Sequence, residues 1–74
     1  MAGDLPLSHQ IILNGVPKSV ESGDTVADLL SQLQLNPKFL AVELNRRVIP
    51  RAEHSLTRLA AEDQLEIVTL VGGG

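Results

Sequence analysis

The amino-acid sequence predicts an α+β domain in which one main helix packs on one face of a five-stranded mixed sheet. Two observations predict this class. Five short segments have the apolar composition typical of strands, and one longer segment has apolar residues at helical spacing. Their order along the chain is β-β-α-β-β-β. One amphipathic helix can bury the apolar face of such a sheet while the sheet buries the apolar stripe of the helix.

The first two strands are predicted to form a hairpin. They cover residues 10–14 and 16–20, and Asn14-Gly15 lies at the turn between them. This pair favours a type I′ turn, because both central positions of that turn need a positive φ. Pro17 has no backbone N–H to donate, so the second strand is predicted at an edge of the sheet.

The helix is predicted to begin after Thr25. A threonine at the N-cap and Asp28 three residues later can form reciprocal hydrogen bonds between side chain and backbone. The residue before Pro37 is disfavoured in the α conformation, so we expect the helix to end near Leu35. Its predicted apolar stripe consists of Val26, Leu29, Leu30 and Leu33.

The second half of the chain is predicted to hold a second hairpin and a final strand. In chain order we expect a strand at residues 39–43, a turn at Asn45 and Arg46, a strand at 48–49, one helical or 3₁₀ turn within 54–60, and a strand at 65–71. The last strand is long and apolar, which suits a central position in the sheet.

The composition disfavours several classes of function. The chain has no cysteine, which excludes a thiolate metal site and a thiol nucleophile, and His9 and His54 each lack a second ligand at metal-binding spacing. A net charge of −3 and a single aromatic residue, Phe39, disfavour binding to nucleic acid. No apolar run approaches the ~20 residues that span a bilayer. We therefore expect no metal, no nucleic acid, no membrane and a cytoplasmic location.

The expected domain organisation is an irregular lead-in at residues 1–9, a folded domain at 10–71 and a flexible glycine tail at 72–74. Three consecutive glycines have no side chains to pack, and glycine loses the most conformational freedom on ordering. Two interpretations remain open. Either the carboxylate of Gly74 is a working group that enters the active site of another protein, or the segment is an ordinary frayed terminus.

Four segments carry a resemblance to a known family. They are Ile12-Leu13-Asn14-Gly15, the helix start at residues 24–30, residues 41–45 running on to Val48-Ile49-Pro50-Arg51, and Leu65-Glu66-Ile67-Val68 leading to the glycines. In this order and spacing, residues 10–74 resemble the thiamin-pathway sulfur carrier family (ThiS), within the ThiS/MoaD ubiquitin-like sulfur carriers. Arg46 departs from the family pattern, which often has glycine in that turn.

The resemblance implies a β-grasp (ubiquitin-like) fold, with the first and last strands as parallel neighbours at the centre of the sheet. It also implies that the chain is a carrier and has no catalytic residue or cofactor of its own. A ThiF-type, E1-like adenylyltransferase would use ATP to adenylate Gly74, and a persulfide donor would convert the adenylate to a thiocarboxylate. A ThiG-type thiazole synthase would then receive the sulfur. Gly72 and Gly73 would thread the tail into each enzyme, and the free carrier would be a monomer.

The expected recognition surface is apolar and lies at the base of the tail. If Leu65 faces the helix, Val68 and Leu70 point the other way, beside Ile12 on the neighbouring strand. Such a patch predicts a docking site, although exposed apolar side chains are also common without one. Other functions stay open: a sulfur carrier for molybdopterin synthase or another sulfur pathway, a ubiquitin-like protein modifier, or an interaction module.

Overall fold

The computed structural model describes residues 7–70 and confirms the predicted order of elements. The strands are β1 (Ser8–Leu13), β2 (Val16–Glu21), β3 (Leu40–Leu44), β4 (Arg47–Val48) and β5 (Gln64–Thr69), and the helix is α1 (Val26–Gln32). Two 3₁₀ segments, Pro37–Phe39 and Arg51–Leu56, connect them. The rest of the predicted lead-in, residues 1–6, and residues 71–74 lie outside the described residues.

The five strands form one mixed sheet in the order β2-β1-β5-β3-β4. β1 and β5 are parallel, and the other neighbours are antiparallel. The prediction that the first and last strands are parallel neighbours at the centre is therefore confirmed. The edge position of β2 is also confirmed, and Pro17 lies there opposite Ile12.

The core lies between α1 and one face of the sheet. Its position follows from strand alternation and from the helical stripe, both of which place aliphatic side chains on the inside. Full burial of one such side chain contributes roughly 1.5–3 kcal/mol. The buried hydrophobic residues are Ile11, Val20, Val26, Leu29, Leu30, Leu40, Val42, Leu59 and Leu65.

The helix begins as predicted and ends earlier than predicted. The N–H of Asp28 donates to Thr25 Oγ1 at 3.1 Å, and the N–H of Thr25 donates to Asp28 Oδ2 at 2.9 Å. The predicted end near Leu35 is wrong, because Gln34 adopts a φ of 59° and the helix stops at Gln32. The N–H of Leu35 then donates back to the Leu30 carbonyl at 2.9 Å, as in a Schellman C-cap.

The other strands begin or end within two residues of their predicted limits, and two elements begin clearly earlier than predicted. β1 begins at Ser8, two residues before the predicted start, so the final residues of the predicted lead-in belong to the sheet. His9 is held there because its Nε2 donates to the Leu59 carbonyl at 3.0 Å. The predicted helical turn also begins earlier, at Arg51, because Pro50 serves as the N-cap of that 3₁₀ segment.

Candidate docking face and carrier tail

The predicted working group, Gly74, and the predicted threading residues, Gly72 and Gly73, lie outside the described residues. The structure shows the part of the domain from which that segment continues. Leu70, the last described residue, extends the pairing of β5 with β3, since its N–H donates to the Phe39 carbonyl at 2.8 Å. The base of the tail is therefore held by a backbone hydrogen bond to the chain just before β3.

Four apolar residues lie at the base of the tail, along and just beyond the pairing between β3 and β5. Val68 lies opposite Ala41, and Leu70 lies opposite Phe39. Three of the four are large and more than half exposed: Phe39 at 56%, Val68 at 53% and Leu70 at 56%. We call Phe39, Ala41, Val68 and Leu70 the apolar patch.

Val68 points away from α1 as predicted, because its neighbour Ile67 packs against the core. The predicted position of Ile12 beside Val68 is wrong. Ile12 shares this open face, but it pairs with Gln64, four residues before Val68. At about 3.3 Å per residue, that offset is about 13 Å along the strand. The docking roles of all three predicted residues stay predictions.

Asn14 has a role that its place in the turn did not reveal. β1 ends at Leu13, whereas β5 continues to Thr69, so the end of β5 has no strand beside it on this edge. The Asn14 side chain fills the gap, because its Oδ1 accepts from the Ile67 N–H at 2.8 Å and its Nδ2 donates to the Ile67 carbonyl at 3.4 Å. This amide anchors β5 three residues before Leu70.

Phe39 and Asn14 are the residues that sequence reasoning missed at this site. Phe39 was predicted only as the start of a strand, and Asn14 only as a turn residue. The Asn14-Gly15 turn sequence alone does not indicate that the Asn14 side chain forms hydrogen bonds with Ile67. For Phe39, the available signal was that it is the single aromatic residue of the chain.

A second concave region lies on the helix side of the sheet. It has a volume of about 360 Å³ and lies between α1 and the Arg51–Leu56 segment. His54 lines it and is 5% exposed; its Nε2 donates to the Ile49 carbonyl at 3.1 Å, while its Nδ1 has no partner among residues 7–70. This region lies on the opposite side of the sheet from the apolar patch.

Residues 7–70 hold neither a candidate metal centre nor a membrane-spanning helix. Within that range, no three His, Cys, Asp or Glu side chains are grouped so that they could hold a metal ion. No helix in the same range is long and apolar enough to cross a membrane.

One family model covers both the folded domain and the glycine segment. The model of the ThiS family matches residues 11–74, which include both the sheet and the three glycines. The chain belongs to the ThiS family. The predicted membership in a family of ubiquitin-like sulfur carriers is thereby confirmed.

Individual relatives agree with this assignment. The sulfur carrier protein ThiS of Bacillus subtilis is 40% identical over 50 residues, which are 68% of this chain and 76% of that protein. The thiazole synthase of Magnetococcus marinus is 40% identical over 65 residues, which are 88% of this chain and 20% of that protein. This ThiS-family chain therefore spans about a fifth of the length of that synthase.

A solved structure confirms the β-grasp fold. The crystal structure of the thiamine biosynthesis protein ThiS of Geobacter metallireducens superposes with a TM-score of 0.73 at 32% sequence identity. The superposition covers 88% of this chain and 99% of the other.

Proposed function

We propose that this chain carries sulfur as a thiocarboxylate on Gly74 and donates it to thiazole formation in thiamin biosynthesis. One observation carries the proposal: the ThiS family model matches through residue 74, so the glycine segment belongs to the family pattern together with the domain. In this proposal the chain is a co-substrate of other enzymes, and every catalytic group lies on those enzymes.

The chemistry of a carboxylate explains why activation is needed. Its negative charge repels nucleophiles, and resonance makes its carbon a poor electrophile. The Gly74 carboxylate must therefore first be converted to an acyl-adenylate by a ThiF-type, E1-like enzyme, which consumes ATP and releases pyrophosphate. A persulfide sulfur then attacks the acyl carbon and displaces AMP. Attack by a second thiol on the resulting S–S bond releases the thiocarboxylate, whose soft sulfur is the nucleophile for the next enzyme.

The proposed receiving enzyme is a ThiG-type thiazole synthase. Support comes from the Magnetococcus relative, a thiazole synthase of which one segment is 40% identical to this chain. A second thiazole synthase, from Paramagnetospirillum magneticum, matches at 31% identity over 65 residues. Carrier and synthase of this kind would meet in the cytoplasm, where we propose that the free carrier is a monomer.

The glycine tail suits delivery into a buried active site. Gly72, Gly73 and Gly74 span about 10 Å when extended, at roughly 3.3–3.6 Å per residue. Release of the backbone hydrogen bond between Leu70 and Phe39 would lengthen the reach further. A segment of this length can carry a carbonyl through a channel while the folded domain docks outside.

Intact-protein mass spectrometry tests the proposal. The chain is incubated with a ThiF-type enzyme, ATP and a persulfide donor, and we expect a mass gain equal to the replacement of one oxygen by sulfur, localised to Gly74. A chain lacking Gly73 and Gly74 serves as the matched control and should show no gain. Absence of the gain in the unaltered chain, beside a competent carrier in the same mixture, would contradict the proposal.

A further inference from the structure

Two carboxylates face each other directly on the open side of the sheet. Glu43 of β3 pairs with Glu66 of β5, and both point away from the helix because their strand neighbours Val42 and Leu65 are buried in the core. Together with Gln64 and Arg46 they line a shallow pocket of about 240 Å³.

This arrangement costs free energy in the isolated chain. Side chains directly opposite in an antiparallel pair have Cβ atoms about 4.5–5.5 Å apart, and like charges there are destabilising. Arg46 borders the pocket, but among residues 7–70 neither Glu43 nor Glu66 has an ion pair or a side-chain hydrogen bond. No ion pair therefore offsets the repulsion within the described part of the chain.

The acidic pair adjoins the apolar patch. Glu66 and Glu43 lie two residues from Val68 and Ala41, or about 7 Å along the strands. A protein that covers the patch would also cover the pair and remove water from both carboxylates. Burial of an unpaired charge is strongly unfavourable, so such a partner must supply a positive charge at this point.

We infer that the apolar patch and the Glu43–Glu66 pair form one docking face for a thiazole synthase surface that places an arginine or lysine between the two carboxylates. The inference rests on the proposed function. Apolar side chains of the partner cover Val68 and Leu70, and its cation donates hydrogen bonds to both acids. An arginine fits best, because its planar fork can donate to two carboxylate groups at once.

The test compares binding with stability in the same variants. The full chain is titrated into purified thiazole synthase by calorimetry at two salt concentrations, as the unaltered protein and with Glu43→Gln, Glu66→Gln and both together. We expect the double variant to bind about tenfold more weakly, with a flatter salt dependence, because a partner cation has lost its counter-charges. The melting temperature of the free double variant should rise by roughly 2–5 °C, because the repulsion is gone.

Glu53→Gln is the control matched to each single variant, since it makes the same change of charge on the Arg51–Leu56 segment, outside the docking face. It should leave the affinity for thiazole synthase unchanged. Unchanged or tighter binding by the double variant, beside an unaltered chain that binds, would contradict the inference and leave the carrier function standing. A fall in melting temperature would contradict the repulsion on which the inference depends.

Two further outcomes would also overturn the inference. Concentration-dependent self-association that Glu66→Gln abolishes would assign the docking face to a second copy of the chain. Failure of the unaltered chain both to bind thiazole synthase and to form a thiocarboxylate would contradict the proposed function itself, and the inference with it.

Discussion

The two faces of the sheet are formed by the same strands, but the side chains of one face are buried and those of the other are largely exposed. On the face that α1 covers, Ile11 and Leu65 are fully buried among other aliphatic side chains. On the open face, Val68 remains more than half exposed, and Glu43 lies opposite Glu66 with no ion pair to either acid among residues 7–70. The side chains of the covered face pack within residues 7–70, whereas the open face leaves apolar side chains exposed and two carboxylates without an ion pair in that part of the chain.

Under the proposed docking, the alternation of side chains along β5 separates stability from recognition. Leu65 and Ile67 hold the strand in the core, while Glu66 and Val68 are presented outward. Because the side-chain period of a strand is two, one short segment can serve both purposes. Substitutions on the covered face should therefore change the free energy of unfolding, and substitutions on the open face should change binding.

The largest expected effect is on the covered face. Leu29→Ala removes most of a fully buried side chain from α1 and should lower the free energy of unfolding by about 2–5 kcal/mol. Val68→Ala, on the open face, should change it by no more than about 0.5 kcal/mol. Chemical denaturation of both variants measures the difference. Equal losses would show that the open face contributes to the core and would remove the distinction.

The division between faces was predictable from the sequence, whereas the register between neighbouring strands was not. Alternation placed Leu65 on the helix side of the sheet and Val68 on the other side, and the structure confirms both predictions. Alternation does not determine which residues become neighbours across strands. For that reason Ile12 was predicted beside Val68, and its offset of four residues appears only in the register.

Local conformations set by context were also beyond prediction. Gln34 adopts a φ of 59°, a conformation that glycine usually supplies at a helix C-terminus, and nothing in its identity signals this. The capping box at Thr25 was predictable because it depends on two residue types at fixed spacing. The side-chain bonds of Asn14 required the distant residue Ile67 to be in place.

The second prediction concerns the tail. Gly74→Ala adds a β-carbon at the proposed site of modification, widens the segment that must thread into the active site and restricts its φ. We expect the fold and melting temperature to be unchanged and adenylation by a ThiF-type enzyme to slow by about a hundredfold, because small misplacement of a reacting group has effects of that size. Gly73→Ala should act in the same direction. Normal adenylation rates in both variants would contradict threading.

The third prediction places a charge within the apolar patch. Val68→Asp puts a carboxylate beside Ala41 and close to Glu66, on a surface proposed to be covered in complexes. Affinity for the ThiF-type enzyme should fall about tenfold, because the charge would be desolvated there. Ser19→Asp, an exposed position on the edge strand β2, is the control and should bind normally. If the two variants bind equally well by titration, the patch does not dock.

The last prediction tests how β5 is held where it extends beyond the end of β1. Asn14→Gly keeps the positive φ of the turn, which is 49° in the structure, but removes both side-chain bonds to Ile67. We expect a loss of about 1–2 kcal/mol, since two exposed hydrogen bonds contribute roughly 0.5–1.5 kcal/mol each. The loss should be local, because Ile67 lies in the half of β5 that has no strand on that edge.

Hydrogen exchange distinguishes a local loss from a global one. In Asn14→Gly the amide of Ile67 should exchange faster, while the amide of Leu29 in α1 should change only as much as global stability requires. Asn14→Asp is the matched variant, because a carboxylate retains the acceptor for the Ile67 N–H and loses only the longer bond at 3.4 Å. It should protect Ile67 better than glycine does. Equal protection in the two variants would mean that the strand ahead of the tail is held by its pairing with β3 alone.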